Sequence, residues 1–215
     1  PTLSGHEAES FYNASLESWD SQLLSTYKKA SEIADGGAIY CLGFSLGGAL
    51  CTRFAKLHPE MKLSGLILLA PALKLKGYLW VGKLITPLKV LGVSLPGISP
   101  KEYKKLPSLS LYTYSALYSL CGSFENDGSF AELNRIPATL FIRDEDELVS
   151  VSKEKQWLSD NHIDSWKLVM LPENPEPHAY QHLVIDRKTL GEEGWKIELT
   201  GSINLCKYIL YICYI

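Results

Sequence analysis

The stretch that decides the fold reads AIYCLGFSLGGAL, at residues 38–50. Its first residues, 38–42, form a continuous apolar run, which is typical of a strand buried on both faces of a parallel sheet. Residues 46–58 are predicted to be a helix, because their apolar residues recur at three- and four-residue steps. A buried strand followed at once by an amphipathic helix indicates a strand–turn–helix unit of an α/β fold.

The turn of this unit contains the pattern GxSxG, as Gly43-Phe44-Ser45-Leu46-Gly47. The pattern alone is weak evidence, but a turn between a buried strand and a helix is where a serine can be held on a strained, exposed corner. Gly43 and Gly47 fit that setting, since a Cβ at either position would crowd the helix against the strand. We predict that Ser45 is a nucleophile and that the Leu46 amide, at the helix N-terminus, donates to an oxyanion. The plain alternative is a strand–helix turn with a chance match to the pattern.

Strands and helices alternate over most of the remaining chain, which predicts a mainly parallel sheet flanked by helices in a single domain of residues 1–215. Residues 72–135 interrupt the alternation with apolar helical pieces (79–91) and turn-rich segments, and are predicted to be an insertion. The other predicted elements are helices at 11–34, 153–161 and about 190–208, and strands at 66–70, 138–142 and 166–171.

A nucleophilic serine needs a histidine base and an acid, and in strand–turn–helix sites of this kind the acid and then the histidine follow the serine in the chain. Four acidic residues, within Asp144-Glu145-Asp146-Glu147, come directly after the strand at 138–142. Ligand and catalytic groups gather at the carboxyl ends of parallel strands, so one of the four is a candidate acid. Of the histidines, His178 and His182 alone follow the strand at 166–171, and both are candidate bases.

Composition excludes several classes of function. The net charge of −3 provides no basic field for nucleic acid, and no apolar run is long enough for a transmembrane span. The five cysteines form no CxxC pair and no metal-ligand spacing, so we interpret them as free thiols of a cytoplasmic protein. The motifs GxGxxG, Walker A and HExxH are absent, and we expect neither a cofactor nor a metal.

The sequence resembles the α/β-hydrolases of the bacterial carboxylesterase and monoacylglycerol lipase branch. The segments that carry the resemblance are the loop Pro1–His6, Trp19, the elbow Leu42–Gly48, the acid segment Asp146–Ser150 and the histidine segment His182–Asp186. The resemblance selects Asp146 among the four acids and favours His182 over His178. It implies a serine esterase in which Ser45, His182 and Asp146 cleave short- to medium-chain esters or monoacylglycerols, and in which residues 72–135 form a cap over the site.

The apolar residues of that cap suit an acyl pocket or a transient contact with a membrane, or else packing on the core. Two features depart from the family. A glycine is usual near the position of Arg143, which predicts a differently shaped acid loop. The family's first strands and their oxyanion-hole loop should precede Pro1, so we expect this chain to lack them, which leaves its activity in question.

Other interpretations of the same residues stay open. One is a shortened, non-catalytic homologue that acts as a binding protein. Another is a thioesterase, acyltransferase or peptidase with the same three residues, because a fold does not determine a substrate. The sequence does not indicate an oligomeric state. The apolar tail, residues 209–215, could extend the last helix, add a strand or mark an aberrant end.

Overall fold

The computed structural model describes residues 3–5, 10–97, 100–104, 106–126, 130–176, 178–203 and 209–211. The strands in chain order are β1 (Tyr40–Phe44), β2 (Gly65–Leu69), β3 (Ser94–Pro96), β4 (Ser108–Ser110), β5 (Ala138–Ile142), β6 (Trp166–Met170) and β7 (Ile209–Tyr211). The α-helices are α1 (Leu16–Ala34), α2 (Leu46–Leu57), α3 (Leu111–Asn126), α4 (Val151–Asp160) and α5 (Arg187–Ile203).

The centre of the molecule is a parallel sheet with the strand order β6-β5-β2-β1-β7. The fold is therefore the predicted α/β class. Alternate residues of β2 contribute to two different apolar clusters, because successive side chains of a strand point to opposite faces. Leu66 and Leu68 pack with α1, α2 and α3, whereas Ile67 and Leu69 pack with Phe141 and the segment before α5. Burial on both faces explains why these strands appear in the sequence as unbroken apolar runs.

Two predicted boundaries need correction. The helix predicted at 11–34 begins at Leu16, because Ser15 caps it. The Ser15 hydroxyl accepts a hydrogen bond from the Ser18 amide, and the Ser18 hydroxyl accepts one from the Ser15 amide. The strand predicted at 38–42 lies at Tyr40–Phe44, since its bounds depend on pairing with β2 rather than on apolar composition. Ala38 is exposed and precedes the sheet.

The remaining predicted elements lie within a few residues of the observed ones. The strand at 138–142 matches β5, and the helix at 46–58 ends one residue early. The closing helix begins at Arg187 and is described as far as Ile203, with a kink at Gly191. Residues 204–208, which the prediction also assigned to this helix, lie outside the described residues. Of the apolar tail, Ile209–Tyr211 forms β7, parallel to β1, and residues 212–215 also lie outside them.

Residues 72–135 contain two structurally different parts. Helix α3 belongs to the core, because Leu120, Cys121 and Phe124 on it are fully or almost fully buried. By contrast, Gly77–Leu91 forms 3-10 turns in which no residue is buried. We call residues 77–93 the exposed segment. A short antiparallel hairpin of β3 and β4 follows it.

The N-terminal loop that resembles the hydrolase family is described at Leu3–Gly5, whereas Pro1, Thr2 and His6 lie outside the described residues. This loop is tied to α1 by the fully buried Trp19, whose indole N–H donates to the Ser4 carbonyl at 2.9 Å. The two features of the N-terminal resemblance are therefore in direct contact.

Candidate active site

Ser45 occupies the turn between β1 and α2 in a conformation that few side chains adopt. Its φ is 51° and its ψ is −114°. Backbone conformations of this kind cost on the order of 1–3 kcal/mol, and they persist where the surroundings impose them. Here the Ser45 amide donates to the Leu69 carbonyl at 2.8 Å, and the Ser45 carbonyl accepts the amides of Ala49 and Ala72. The turn is thus fixed from both β2 and α2.

Close contacts explain two glycines of the turn, Gly43 and Gly48, whereas the predicted crowding at Gly47 stays a prediction. A Cβ on Gly43 would meet the backbone carbon and oxygen of Gly47 and would lie 2.6 Å from the Gly48 nitrogen. A Cβ on Gly48 would lie 2.7 Å from the Pro71 Cβ. The sequence interpretation did not identify the need for a glycine at position 48, because the contact is with Pro71, which lies beyond the end of β2. Both glycines let α2 start directly against the sheet.

The structure brings Ser45, His182 and Asp146 into one hydrogen-bonded chain. The Ser45 Oγ lies 2.8 Å from His182 Nε2, and His182 Nδ1 lies 2.7 Å from Asp146 Oδ2. Asp146 is fully buried and His182 is 3% exposed, whereas Ser45 is half-buried. With the proton on Nδ1, the imidazole donates to the carboxylate and presents a lone pair to the serine hydroxyl.

Asp146 is held in place by the backbone that follows it. Its Oδ1 accepts the amides of Leu148 and Val149, both at 2.7 Å. The other oxygen is thereby free to accept from His182. Asp144 and Glu145 were also candidate acids before the resemblance was considered, and both are exposed.

The alternative base His178 lies on an exposed turn with a φ of 61°. The imidazole in contact with Ser45 is that of His182. Its ring contacts two aromatic rings, with centroid distances of 5.1 Å to Phe44 and 6.1 Å to Tyr180.

The predicted oxyanion donor, the Leu46 amide, belongs to the first residue of α2. The first amides of a helix have no partner within the helix, and they carry the positive end of its dipole. The amide therefore has the chemistry that an oxyanion requires, directly beside Ser45.

Two further residues near Asp146, namely Glu147 and Arg143, contact the backbone of residues 181–183 around His182. The sequence interpretation gave Glu147 only as one of four candidate acids and gave Arg143 no contact with the histidine. The Glu147 carboxylate accepts the amides of Gln181 and His182, each at 2.8 Å. The Arg143 side chain is fully buried and donates to carbonyl groups on both sides of His182. No residue-level signal could identify these contacts, because their partners are backbone atoms.

A buried carboxyl lies behind the site. Glu154 on α4 is fully buried; its Oε1 accepts the Leu73 amide at 3.3 Å, and its Oε2 has no hydrogen-bond partner among the described residues. Burial raises the pKa of Glu154 well above its ordinary value, and the charge of Asp146 raises this pKa further. The raised pKa favours the protonated, neutral form of this carboxyl.

The described part of the chain contains no group of three His, Cys, Asp or Glu side chains that could hold a metal ion. Within the same residues, no helix is both long and apolar enough to cross a membrane.

Comparison with known proteins gives one family and several related folds. A family model described as serine aminopeptidase, S33, of the Hydrolase_4 type, matches residues 7–118. A metagenome-derived lipolytic enzyme is 18% identical with a TM-score of 0.68, over 96% of this chain and 80% of that one. A monoacylglycerol lipase from Paleococcus ferrophilus is 17% identical with a TM-score of 0.63, over 89% and 75% of the two chains.

A thermostable carboxyl esterase from Bacillus coagulans is 13% identical with a TM-score of 0.63, over 94% of this chain and 79% of the esterase. At these identities the solved structures show the α/β-hydrolase fold. A search among curated proteins found no significant match.

Proposed function

Because the chain belongs to the hydrolase family described as serine aminopeptidase, S33, we propose that it is a serine esterase that acts through an acyl-enzyme on Ser45. The proposed substrates are short- to medium-chain carboxylic esters or monoacylglycerols. The observation that carries the proposal is the chain of hydrogen bonds from Ser45 through His182 to Asp146, at 2.8 and 2.7 Å.

In the proposed reaction, the Ser45 Oγ attacks the ester carbonyl while His182 Nε2 accepts the hydroxyl proton. The buried Asp146 carboxylate stabilises the imidazolium that results. His182 then returns the proton to the departing alkoxide, and the alcohol leaves. Water attacks the acyl-enzyme with His182 again as base, which releases the acid and restores the serine.

The Leu46 amide is the proposed donor to the oxyanion formed at each attack. Loss of one such donor costs about 10²- to 10³-fold in rate, so its position at the start of α2 matters for the proposed activity.

The exposed segment supports a second part of the proposal, namely transient contact between the cap and a lipid surface.

Eight of the eleven exposed large apolar side chains among the described residues lie in the exposed segment. Lys83 and Lys89 also lie in it, and no acidic residue occurs between Glu60 and Glu102. Apolar side chains with only positive charges among them favour a membrane with anionic lipids. The expected result is greater sedimentation of the protein with phosphatidylcholine–phosphatidylglycerol vesicles than with phosphatidylcholine vesicles, and equal sedimentation would contradict this part.

The esterase activity is tested with p-nitrophenyl butyrate and a fluorophosphonate probe, on the wild-type protein and on Ser45→Ala. We expect hydrolysis and stoichiometric labelling of the wild type and neither for the variant. Equal rates for the two proteins would refute the role of Ser45. A folded wild type that neither hydrolyses nor labels would favour a non-catalytic binding protein.

The description of the matching family favours one alternative substrate class, since an aminopeptidase hydrolyses amides at an amino terminus. The same test with an aminoacyl p-nitroanilide separates the two. Faster turnover of the anilide than of the butyrate ester would replace the esterase proposal with a peptidase.

A further inference from the structure

Arg143 is a fully buried arginine whose side chain is used to hold backbone carbonyls. Five backbone carbonyls, all within residues 172–190, accept hydrogen bonds from its guanidinium. They are Pro172 from Nε at 2.7 Å, Gln181 and Leu183 from Nη1 at 3.3 and 3.2 Å, and Thr189 and Leu190 from Nη2 at 2.8 and 3.2 Å. The two carbonyls that share Nη1 flank His182. A single side chain therefore holds residues 172–190, which include His182 and the start of α5, at five carbonyls.

Only arginine can make this set of contacts. The guanidinium has five N–H donors in a rigid plane and keeps its charge on burial, whereas a lysine has one nitrogen and an aliphatic side chain has no donor. Burial lowers the pKa of Arg143, and the nearby charges of Glu147 and Asp146 raise it. A buried charge is expensive, and an apolar residue of similar size would fill the space at lower cost.

Glu147 holds the backbone on the N-terminal side of His182 by accepting hydrogen bonds from two amides. Its Oε1 accepts from Gln181 and its Oε2 from His182, both at 2.8 Å. The peptide unit between Gln181 and His182 is thus held at its carbonyl by Arg143 and at its amide by Glu147.

The side chain of His182 is positioned separately from its backbone. Asp146 fixes the direction of the imidazole and is itself fixed by the amides of Leu148 and Val149. The distance from His182 Nε2 to Ser45 depends in addition on where the His182 backbone lies. A displacement of about 1 Å at a reacting group can cost about 10²-fold in rate.

We propose that Arg143 and Glu147 are positioning residues that clamp the backbone of His182, so that its imidazole stays within hydrogen-bonding distance of Ser45. This inference rests on the proposed esterase function. The clamp also gives a reason for an arginine just before the acid segment, near a position where the hydrolase family usually has a glycine.

The test compares Arg143→Lys and Glu147→Gln with the wild type, with Glu145→Gln as a matched control, because Glu145 lies in the same loop and is exposed. We measure kcat and KM for p-nitrophenyl butyrate and the time course of fluorophosphonate labelling. For Arg143→Lys we expect kcat to fall about 10²-fold with KM nearly unchanged, since the chemical step depends on alignment. For Glu147→Gln, which keeps one acceptor oxygen, we expect a smaller fall, and for the control none.

The labelling time course distinguishes positioning from folding. A misaligned histidine slows labelling, which still proceeds to one probe per chain. Partial unfolding instead leaves a fraction unlabelled, and the remainder reacts at the wild-type rate. The second pattern in Glu147→Gln, or a wild-type kcat in both variants, would overturn the clamp.

Chemical rescue adds an independent readout. In Arg143→Ala, millimolar guanidinium should restore part of the lost kcat, whereas urea, which is similar in shape but uncharged, should not. If the Arg143 variants do not fold, Glu147→Gln decides the question alone. Failure of the esterase proposal is distinguishable, because the wild-type protein would then already be inactive.

Discussion

The elbow and the exposed segment are both rich in apolar residues, yet they are packed in opposite ways. Around Ser45, every residue from Leu46 to Leu50 is buried, whereas none is buried from Gly77 to Leu91. The elbow leads into an α-helix, whose 3.6-residue period gathers apolar side chains on one face against the sheet. The exposed segment forms 3-10 turns and contains Pro87, so no such face develops. Apolar composition therefore does not by itself indicate a core.

A glycine substitution in each region tests this difference in packing most strongly. Gly43→Ala would set a Cβ against backbone atoms of Gly47 and Gly48, which cannot rotate away. We expect a loss of about 4 kcal/mol or more in the free energy of unfolding, the size typical of severe steric conflicts. The matched change is Gly77→Ala, because no atom lies within 4 Å of the added carbon. Denaturant unfolding of both variants checks this, and equal losses would contradict the close contact at Gly43.

A pair of leucines tests the same contrast through cavities. Leu50 on α2 is fully buried, and Leu84 in the exposed segment is 79% exposed. Leu50→Ala should lower the free energy of unfolding by about 3 kcal/mol, from lost burial and the cavity that remains. Urea unfolding with unchanged slope gives the measurement. A loss below about 1 kcal/mol would mean that α2 is not packed as described.

A third experiment concerns the buried carboxyl behind the site. Because burial raises the pKa of Glu154 in the folded protein, the unfolded chain, with an ordinary pKa of 4.5, ionises at a lower pH than the folded protein does. The Glu154 contribution to wild-type stability should therefore fall as pH rises from 4.5 towards the raised folded-state pKa, by up to about 1.4 kcal/mol per pH unit. Glu154→Gln should lack this contribution and gain stability relative to the wild type over that range.

The control for this experiment is Glu132→Gln, because Glu132 is exposed. Unfolding free energies measured at several pH values above 4.5 decide it. Parallel curves for the wild type and Glu154→Gln would show that Glu154 does not stay neutral in the folded protein.

The smallest effect is expected in the exposed segment itself. Leu84→Ala removes a side chain that is 79% exposed, and surface substitutions of this kind usually change stability by no more than about 0.5 kcal/mol. Its thermal unfolding should therefore coincide with that of the wild type. A loss comparable to that of Leu50→Ala would show that the segment is covered by other residues in solution.

Sequence patterns sufficed where local chemistry determines structure. The strand at 138–142 and the start of α2 follow from a short apolar run and from helical periodicity, and the sequence resemblance alone singled out Asp146 and His182. The bounds of β1 depend on its partner strand, and the contacts of Arg143 and Glu147 are with backbone atoms of a distant loop. These features arise from tertiary pairing, which leaves no pattern in the residues themselves.

The parallel pairing of β2 with β5 has a consequence for how the protein assembles. Ser45 belongs to the β1–α2–β2 unit, whereas Asp146, His182 and the Arg143 contacts belong to the chain that follows β5. Within the second unit the contact from Arg143 to Leu190 spans 47 residues, whereas the bond from Ser45 to His182 spans 137. Contacts of such long range form slowly because of the entropy of loop closure. We therefore expect the reactive centre to lie on the border between two cooperative folding units. A partial opening at this border would separate Ser45 from His182 and abolish the reactivity of the serine, while both halves keep their native hydrogen-exchange protection.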